Sequence, residues 1–163
     1  MWENGKAHGR GRVIHADGEY YEGDFREDKA CGFGVYAYLD GSRYEGSWED
    51  DKQEGIGKQT WIDSASYEGE FKAGMKHGKG LFYLNDGSKY EGTFYENDIH
   101  GRGTFEWTDG RSYQGEWRYN KMHGVGILVW PDGTRYQGMF RNNERDGMGT
   151  FTYADGSKFR GNF

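Results

Sequence analysis

Polar and apolar residues alternate along most of this chain, and the large apolar ones are nearly all aromatic. In Tyr44-Glu-Gly-Ser-Trp48 the odd partners differ from the even ones: Tyr44, Gly46 and Trp48 share one side of an extended backbone, while Glu45, Ser47 and Glu49 share the other. The same period of two groups Gly34 with Tyr36 and Tyr38, Gly103 with Phe105 and Trp107, and Gly126 with Leu128 and Trp130. These runs predict short strands with one face of rings and glycine and one polar face.

The strands recur. Tyr21-Glu-Gly-Asp-Phe25 returns every 23 residues, beginning at Tyr44, Tyr67, Tyr90, Tyr113, Tyr136 and Phe159. A Gly-x-Gly keeps the same register at Gly9/Gly11, Gly32/Gly34, Gly55/Gly57, Gly78/Gly80, Gly101/Gly103, Gly124/Gly126 and Gly147/Gly149. Asp-Gly recurs from Gly18 to Gly156, with Ser64 standing once for the glycine. A further column reads Gly5, Asp28, Asp51, Gly74, Asn97, Asn120 and Asn143, residue types that tolerate positive φ in tight turns. Two turns per 23 residues leave two short strands, so the repeating unit is a β-hairpin with its link to the next. All 29 glycines fall in five columns of this register. A ring on one strand needs a hole beside it, and a neighbouring residue without Cβ supplies one.

The expected fold is therefore all-β: residues 1–163 as a single array of seven hairpins, forming an elongated, open, single-layer antiparallel sheet with nearest-neighbour stability. Fourteen strands at about 4.8 Å spacing would extend on the order of 65 Å as a rod or trough. Closure into a barrel or propeller needs a shear or a four-strand blade that a two-strand unit does not suggest. With Trp2 and Phe163 in the same column and no distinct terminal unit, the array is expected to be a segment of a longer one.

Composition narrows the function. Hydrophobic residues make up 34% of the chain and 29 of its residues are Tyr, Phe or Trp, so aromatics must carry the packing. The formal net charge of −6 is spread over 27 acidic and 21 basic residues, which gives no sign of nucleic-acid binding. Cys31 is the only cysteine, so no internal disulfide forms, and a cytoplasmic setting is the expectation. The longest apolar run, Ile127 to Trp130, is far short of the roughly 20 residues of a membrane-spanning helix.

The pattern Tyr-Glu-Gly-x-Trp/Phe, then Asn-x-Lys-x-His-Gly-x-Gly, then Asp-Gly resembles the MORN (membrane occupation and recognition nexus) repeat family. Its fullest instance runs from Tyr90-Glu-Gly-Thr-Phe94 through His100-Gly-Arg-Gly103 to Asp109-Gly110. Members include cytoskeletal and ciliary scaffolds, proteins that bridge membranes, and repeat domains attached to phosphoinositide kinases or a lysine methyltransferase. The resemblance implies a docking platform rather than a reaction: a protein-binding scaffold for a helix or extended peptide. The alternatives are a phosphoinositide-binding, membrane-associated module, or the regulatory repeats of a larger enzyme such as a lipid kinase.

Candidate site residues are those the repeat does not need. Tyr20, Phe33, Tyr83, Tyr95 and Tyr119 lie outside the periodic columns and are candidates for partner contact, since aromatics dominate interface hot spots. Tyr90, Trp107 and Trp130 are in-register rings expected to line the trough. Arg111, Arg118, Lys121, Arg135, Arg141 and Arg145 form a locally basic stretch that could meet anionic lipid, whereas residues 1–81 carry 11 basic and 16 acidic side chains and should be repelled from it.

His77, His100 and His123 share a column with His8, Cys31, Glu54 and Asp146. Successive members stand roughly 10 Å apart, too far for one zinc ion with ligands about 2 Å away, so no metal is expected within one chain and the column reads as a ladder bonded to backbone. No nucleophile stands beside a base, and the Gly-x-Gly runs lack the Lys-Ser/Thr of a phosphate loop, so neither catalysis nor a cofactor is expected. The third hairpin departs most from the pattern, at Glu54, Gln59 and Ser64, and is expected to bend the sheet, open a pocket, or have drifted. A sheet end offers unpaired backbone for homodimerisation.

Overall fold

The computed structural model describes residues 1–163 and is all-β, with every regular element a strand. Its contacts cluster into two compact units, Met1–Asn85 and Asp86–Phe163. Unit 1 contains β1 (Trp2–Glu3), β2 (Lys6–Ala7), β3 (Gly9–Ile14), β4 (Tyr20–Arg26), β5 (Lys29–Ala37), β6 (Arg43–Glu49), β7 (Lys52–Thr60), β8 (Ser66–Lys72) and β9 (Met75–Tyr83). Unit 2 contains β10 (Lys89–Tyr95), β11 (Asp98–Glu106), β12 (Ser112–Arg118), β13 (Lys121–Val129), β14 (Arg135–Arg141), β15 (Glu144–Thr152) and β16 (Lys158–Asn162). Within each unit, strands adjacent in sequence pair antiparallel, β2 and β3 excepted, and the first does not return to pair with the last, so the pairing is open. The short β1–β2 pair stands apart from the sheet that begins at β3.

Two turn types alternate. The first is a two-residue connection with positive φ at both residues, as at Asp50 (47°) and Asp51 (66°) or Tyr119 (45°) and Asn120 (69°). The second is the Asp-Gly link, in which the Asp carboxylate accepts the N–H two residues on: Asp40 from Ser42 at 2.8 Å and Asp132 from Thr134 at 2.8 Å. Ser64 keeps the left-handed φ of the glycine it replaces, at 76°, and Asp63 still accepts from Ala65. The third hairpin thus retains turn and register, with Gln59 opposite both Tyr44 and Tyr67 and buried.

The core of each unit is a file of tyrosines. Tyr44, Tyr67, Tyr90, Tyr113 and Tyr136 are completely buried. Each lies across the glycine pair of its own hairpin: a Cβ on Gly126 would stand 2.3 Å from the Tyr113 hydroxyl, and one on Gly115 would stand 2.5 Å from the Gly126 Cα. The rings then interlock edge to face. Tyr44 meets Trp48 of its own hairpin at 5.2 Å and Phe71 of the next at 5.0 Å, and Tyr113 meets Trp117 at 5.0 Å and Phe140 at 5.1 Å. Such contacts contribute about 1 kcal/mol each beyond area burial and couple each hairpin to its neighbour. Trp48 and Trp117 add an indole N–H donated to Gly34 and Gly103 carbonyls of the preceding hairpin, at 3.0 and 3.1 Å.

Between the glycine pair and the two-residue turn, the second strand of each hairpin carries extra residues and the register shifts. This bulge frees a carbonyl and an N–H, and both find partners. The tyrosine hydroxyl donates to the carbonyl three residues on, as Tyr44 to Ser47 at 2.8 Å and Tyr136 to Met139 at 2.9 Å. The side chain between glycine and the aromatic residue accepts the bulge N–H: Asp24 from Phe33 at 3.0 Å, Thr93 from Arg102 at 3.1 Å and Glu116 from Val125 at 2.6 Å.

Candidate protein-binding surface

Each unit presents two faces and a turn-lined edge. On the aromatic face, the buried tyrosines form a floor from which half-exposed rings project. In unit 1 these include Tyr36 and Tyr38, 4.6 Å apart, and Trp61 with Phe82, 5.9 Å apart. In unit 2 they include Phe105 with Trp107 at 4.7 Å and Trp130 with Phe151 at 5.8 Å. A cavity of about 390 Å³ opens in unit 1 among Val13, His15, Phe25, Tyr36, Asp28 and Asp51. Another of about 490 Å³ opens in unit 2 among Leu128, Phe140, Glu144, Arg145 and Phe163. The carboxylate of Asp51 accepts the Ala30 N–H at 2.7 Å, so the acidic wall of the first cavity is tied to backbone.

The shifted ionisations in the chain have packing causes. Burial raises the hydroxyls of Tyr21, Tyr44, Tyr67, Tyr90, Tyr113 and Tyr136, with Tyr90 pushed up to about 12. Tyr36 is also pushed up to about 12, first by donating to Glu19 at 2.7 Å and then by burial. Asp40, Asp86, Asp132 and Asp155 are held low by the hydroxyl and N–H of the Ser or Thr two residues on, and Asp109 by the Arg111 N–H. Core rings and turn carboxylates of this kind supply no acid–base pair beside a nucleophile.

The eight aromatic candidates separate. Trp107 and Trp130 stand half-exposed on the aromatic face, with the Arg111 guanidinium 4.9 Å from the Trp107 ring centre. Tyr90 does not line that face: it is fully buried, with its hydroxyl donated to the Thr93 carbonyl at 3.0 Å, so it supports the surface without presenting itself. Phe33 and Tyr83 are exposed on the opposite face, and Tyr20 is half-buried there under the Arg12 guanidinium at 4.3 Å. Tyr95 and Tyr119 are exposed at the edge, where the His100 ring lies 5.9 and 4.6 Å from theirs.

The basic stretch also divides. Arg145 turns inward, 5.5 Å from the Phe151 and Phe163 ring centres; Arg111 is paired with Asp109 at 2.8 Å; Arg135 donates to Gln137 at 3.0 Å. Only Arg118, Lys121 and Arg141 line one cavity. In the histidine column, His100 Nδ1 accepts the Tyr119 N–H at 3.2 Å and Glu54 accepts the Ala73 N–H at 2.8 Å, while His8 instead stands 3.3 Å from the Glu3 carboxylate. No three His, Cys, Asp or Glu side chains come together as a metal-binding group.

One group of functional contacts was not anticipated. The turn column of Asp and Asn also clamps each hairpin to the one before. Asp51 and Asn143 donate their own N–H to the Ala30 and Met122 carbonyls, at 3.1 and 3.0 Å, and accept the N–H of the same residues on their side chains, at 2.7 and 2.9 Å. Preference for Asp and Asn over glycine in that column was the available signal.

An open antiparallel sheet of hairpins in a 23-residue register defines a β-repeat protein. A sequence profile for the MORN repeat matches residues 1–20, 21–43, 44–66, 67–89, 90–110, 113–135 and 136–158, and the chain belongs to that family. No curated protein sequence matches it. Among solved structures it is similar to the SAS-4 (dCPAP) TCP domain of Drosophila melanogaster, in complex with a proline-rich motif of Ana2 (dSTIL). The two are 13% identical over 94% of this chain and 90% of that one, with a TM-score of 0.52, a likeness of fold. An inactive H270A virginiamycin B lyase from Staphylococcus aureus, with quinupristin, aligns at 10% identity over 100% of this chain and 58% of its own, with a TM-score of 0.22.

Proposed function

We propose that this chain is a non-catalytic protein-binding scaffold, and that a partner helix or extended peptide lies on the aromatic face of its hairpins. The observation that carries this reading is the row of half-exposed rings in each unit, standing on tyrosines that packing already holds rigid. Rigid aromatic side chains give large contact area at low entropic cost, which is what interface hot spots require. Support also comes from the similar fold of the SAS-4 domain, which was solved with a proline-rich motif.

The test is peptide-library selection on the intact chain, followed by affinity measurement on Trp107→Ala/Trp130→Ala and, as a control, Val125→Ser/Met139→Ser on the opposite face. Loss of about 2 kcal/mol or more is expected for the first variant and little change for the second. Selected peptides that bind the tryptophan variant as well as the parent chain would overturn the assignment, provided its thermal melt remains cooperative.

A further inference from the structure

At the edge of unit 2, a cavity of about 510 Å³ is walled by Arg118, Tyr119, Lys121, His123, Arg141 and Asn142. Three cations and no carboxylate line it, in a chain whose net charge is −6. The repeat explains why they converge. Arg118 and Lys121 pair across the Tyr119–Asn120 turn, and Arg141 occupies the Arg118 position one repeat later. Asp146 stands 3.7 Å from Arg141, in an exposed pair that contributes little, and Glu144 is the cross-strand partner of Arg141. His123 also lines the cavity. Its Nδ1 is buried with no hydrogen-bond partner, although Glu54 and His100 in the same column each accept a backbone N–H.

We infer that this edge cavity binds the phosphate group of a phosphorylated serine or threonine on a protein partner, an inference that rests on the protein-binding reading and adds to it what a partner carries. Two guanidiniums and an ammonium match a tetrahedral dianion, because guanidinium forks donate in pairs to phosphate oxygens. The His123 ring, the Asn142 amide and the Tyr119 hydroxyl add further polar positions. A peptide is favoured over a membrane as the carrier. Residues 1–81 hold 16 acidic against 11 basic side chains, which opposes approach to an anionic plane but not the docking of one phosphate on a flexible segment.

Amide NMR on the full chain tests this with three probes: inorganic phosphate, a capped Gly-phosphoserine-Gly peptide, and its unphosphorylated form. The first two should move the amides of residues 118–123 and 141–143 saturably, and the third should not. Arg118→Glu/Arg141→Glu should weaken phosphopeptide binding about tenfold or more while the remaining amide spectrum is retained. Shifts scattered over cations elsewhere, such as Arg43 and Lys58, or undiminished binding by the variant, would overturn the site. Binding to phosphatidylcholine vesicles containing a phosphoinositide, lost in the same variant and unmatched by the phosphopeptide, would reassign it to a lipid headgroup. Peptides selected on the aromatic face keep their affinity for the variant, so failure here is separable from failure of the scaffold reading.

Discussion

One edge cavity occurs twice, two repeats apart, with opposite chemistry. In unit 1 it holds Glu49, Glu54, Ile56, Glu70 and Lys72; in unit 2 the positions of Glu54, Ile56, Glu70 and Lys72 are taken by His100, Arg102, Glu116 and Arg118. Backbone and glycines are the same in both, and so is the task of Glu70 and Glu116, which accept the bulge N–H of Lys79 and Val125. The acidic edge and the cationic edge are thus built on one frame. The register that sets packing leaves these side chains free to vary, so the two units can differ in what they bind without differing in how they fold.

The largest expected effect is common to both units and would break the comparison if it were not. Burial raises Tyr21, Tyr44 and Tyr67 in unit 1 and Tyr90, Tyr113 and Tyr136 in unit 2, so above the unfolded value near 10 the unfolded chain has released protons that the folded one still holds. Stability is complete below that pH and is lost as pH rises, by about 1.4 kcal/mol per pH unit for each tyrosine. Alkaline unfolding should coincide with tyrosinate absorbance, in one steep transition. A gradual ionisation of the folded chain would show that the rings are not sealed.

Next in size is the glycine beneath the ring. Gly57→Ala in unit 1 and Gly126→Ala in unit 2 each place a methyl within 2.3 Å of a tyrosine hydroxyl, and each should cost about 3 kcal/mol in urea titration. Gly156→Ala, in open space at a φ of +89°, should cost about 1 kcal/mol from backbone strain alone. Equal losses at all three would mean that strain, not ring packing, sets the glycine requirement.

A smaller difference lies in the hairpin clamp. Asn143→Gly removes the acceptor for the Met122 N–H while keeping the positive φ of 74° unstrained, and should lower stability by about 1 kcal/mol. Unit 1 lacks this acceptor at Gly74, whose N–H still donates to the Gln53 carbonyl at 3.0 Å, so Gly74→Asn should restore the clamp and stabilise by a few tenths of a kcal/mol. The smallest effect is acidic. Asp86 and Asp132 are held below the usual carboxylate range, so their contribution is present above the unfolded value and lost as pH falls through the folded one. Asp86→Asn and Asp132→Asn should each reduce the fall in Tm between neutral and acid pH.

Much of this was legible in sequence because the signal repeats. Seven copies of an aromatic-x-Gly and of Gly-x-Gly set the hairpins, both turns and the pairing of ring with glycine, since strand period and positive φ are local properties that composition at each column reveals. The departures of the third hairpin fit a bend, a pocket or drift in sequence; in the structure Ser64 adopts the φ of the glycine it replaces and Glu54 takes over the bond made by His100. Residue type alone does not show that two different side chains meet one backbone need.

What the sequence by itself determined is the repeat: strand order, register, the aromatic face and the glycines beneath it. Only the tertiary structure decided which rings are sealed and which face solvent. Alternation puts Tyr90 and Trp107 on the same side without saying that Tyr90 is roofed by Phe94 and Trp117 while Trp107 stays half-open. It also decided that of six cations in one stretch only Arg118, Lys121 and Arg141 share a cavity. The physical reason is the same in both cases: periodicity assigns a residue to a face, but exposure and charge clustering also depend on neighbours contributed by the next hairpin, as Trp117 beside Tyr90 and Arg141 in the cavity of Arg118.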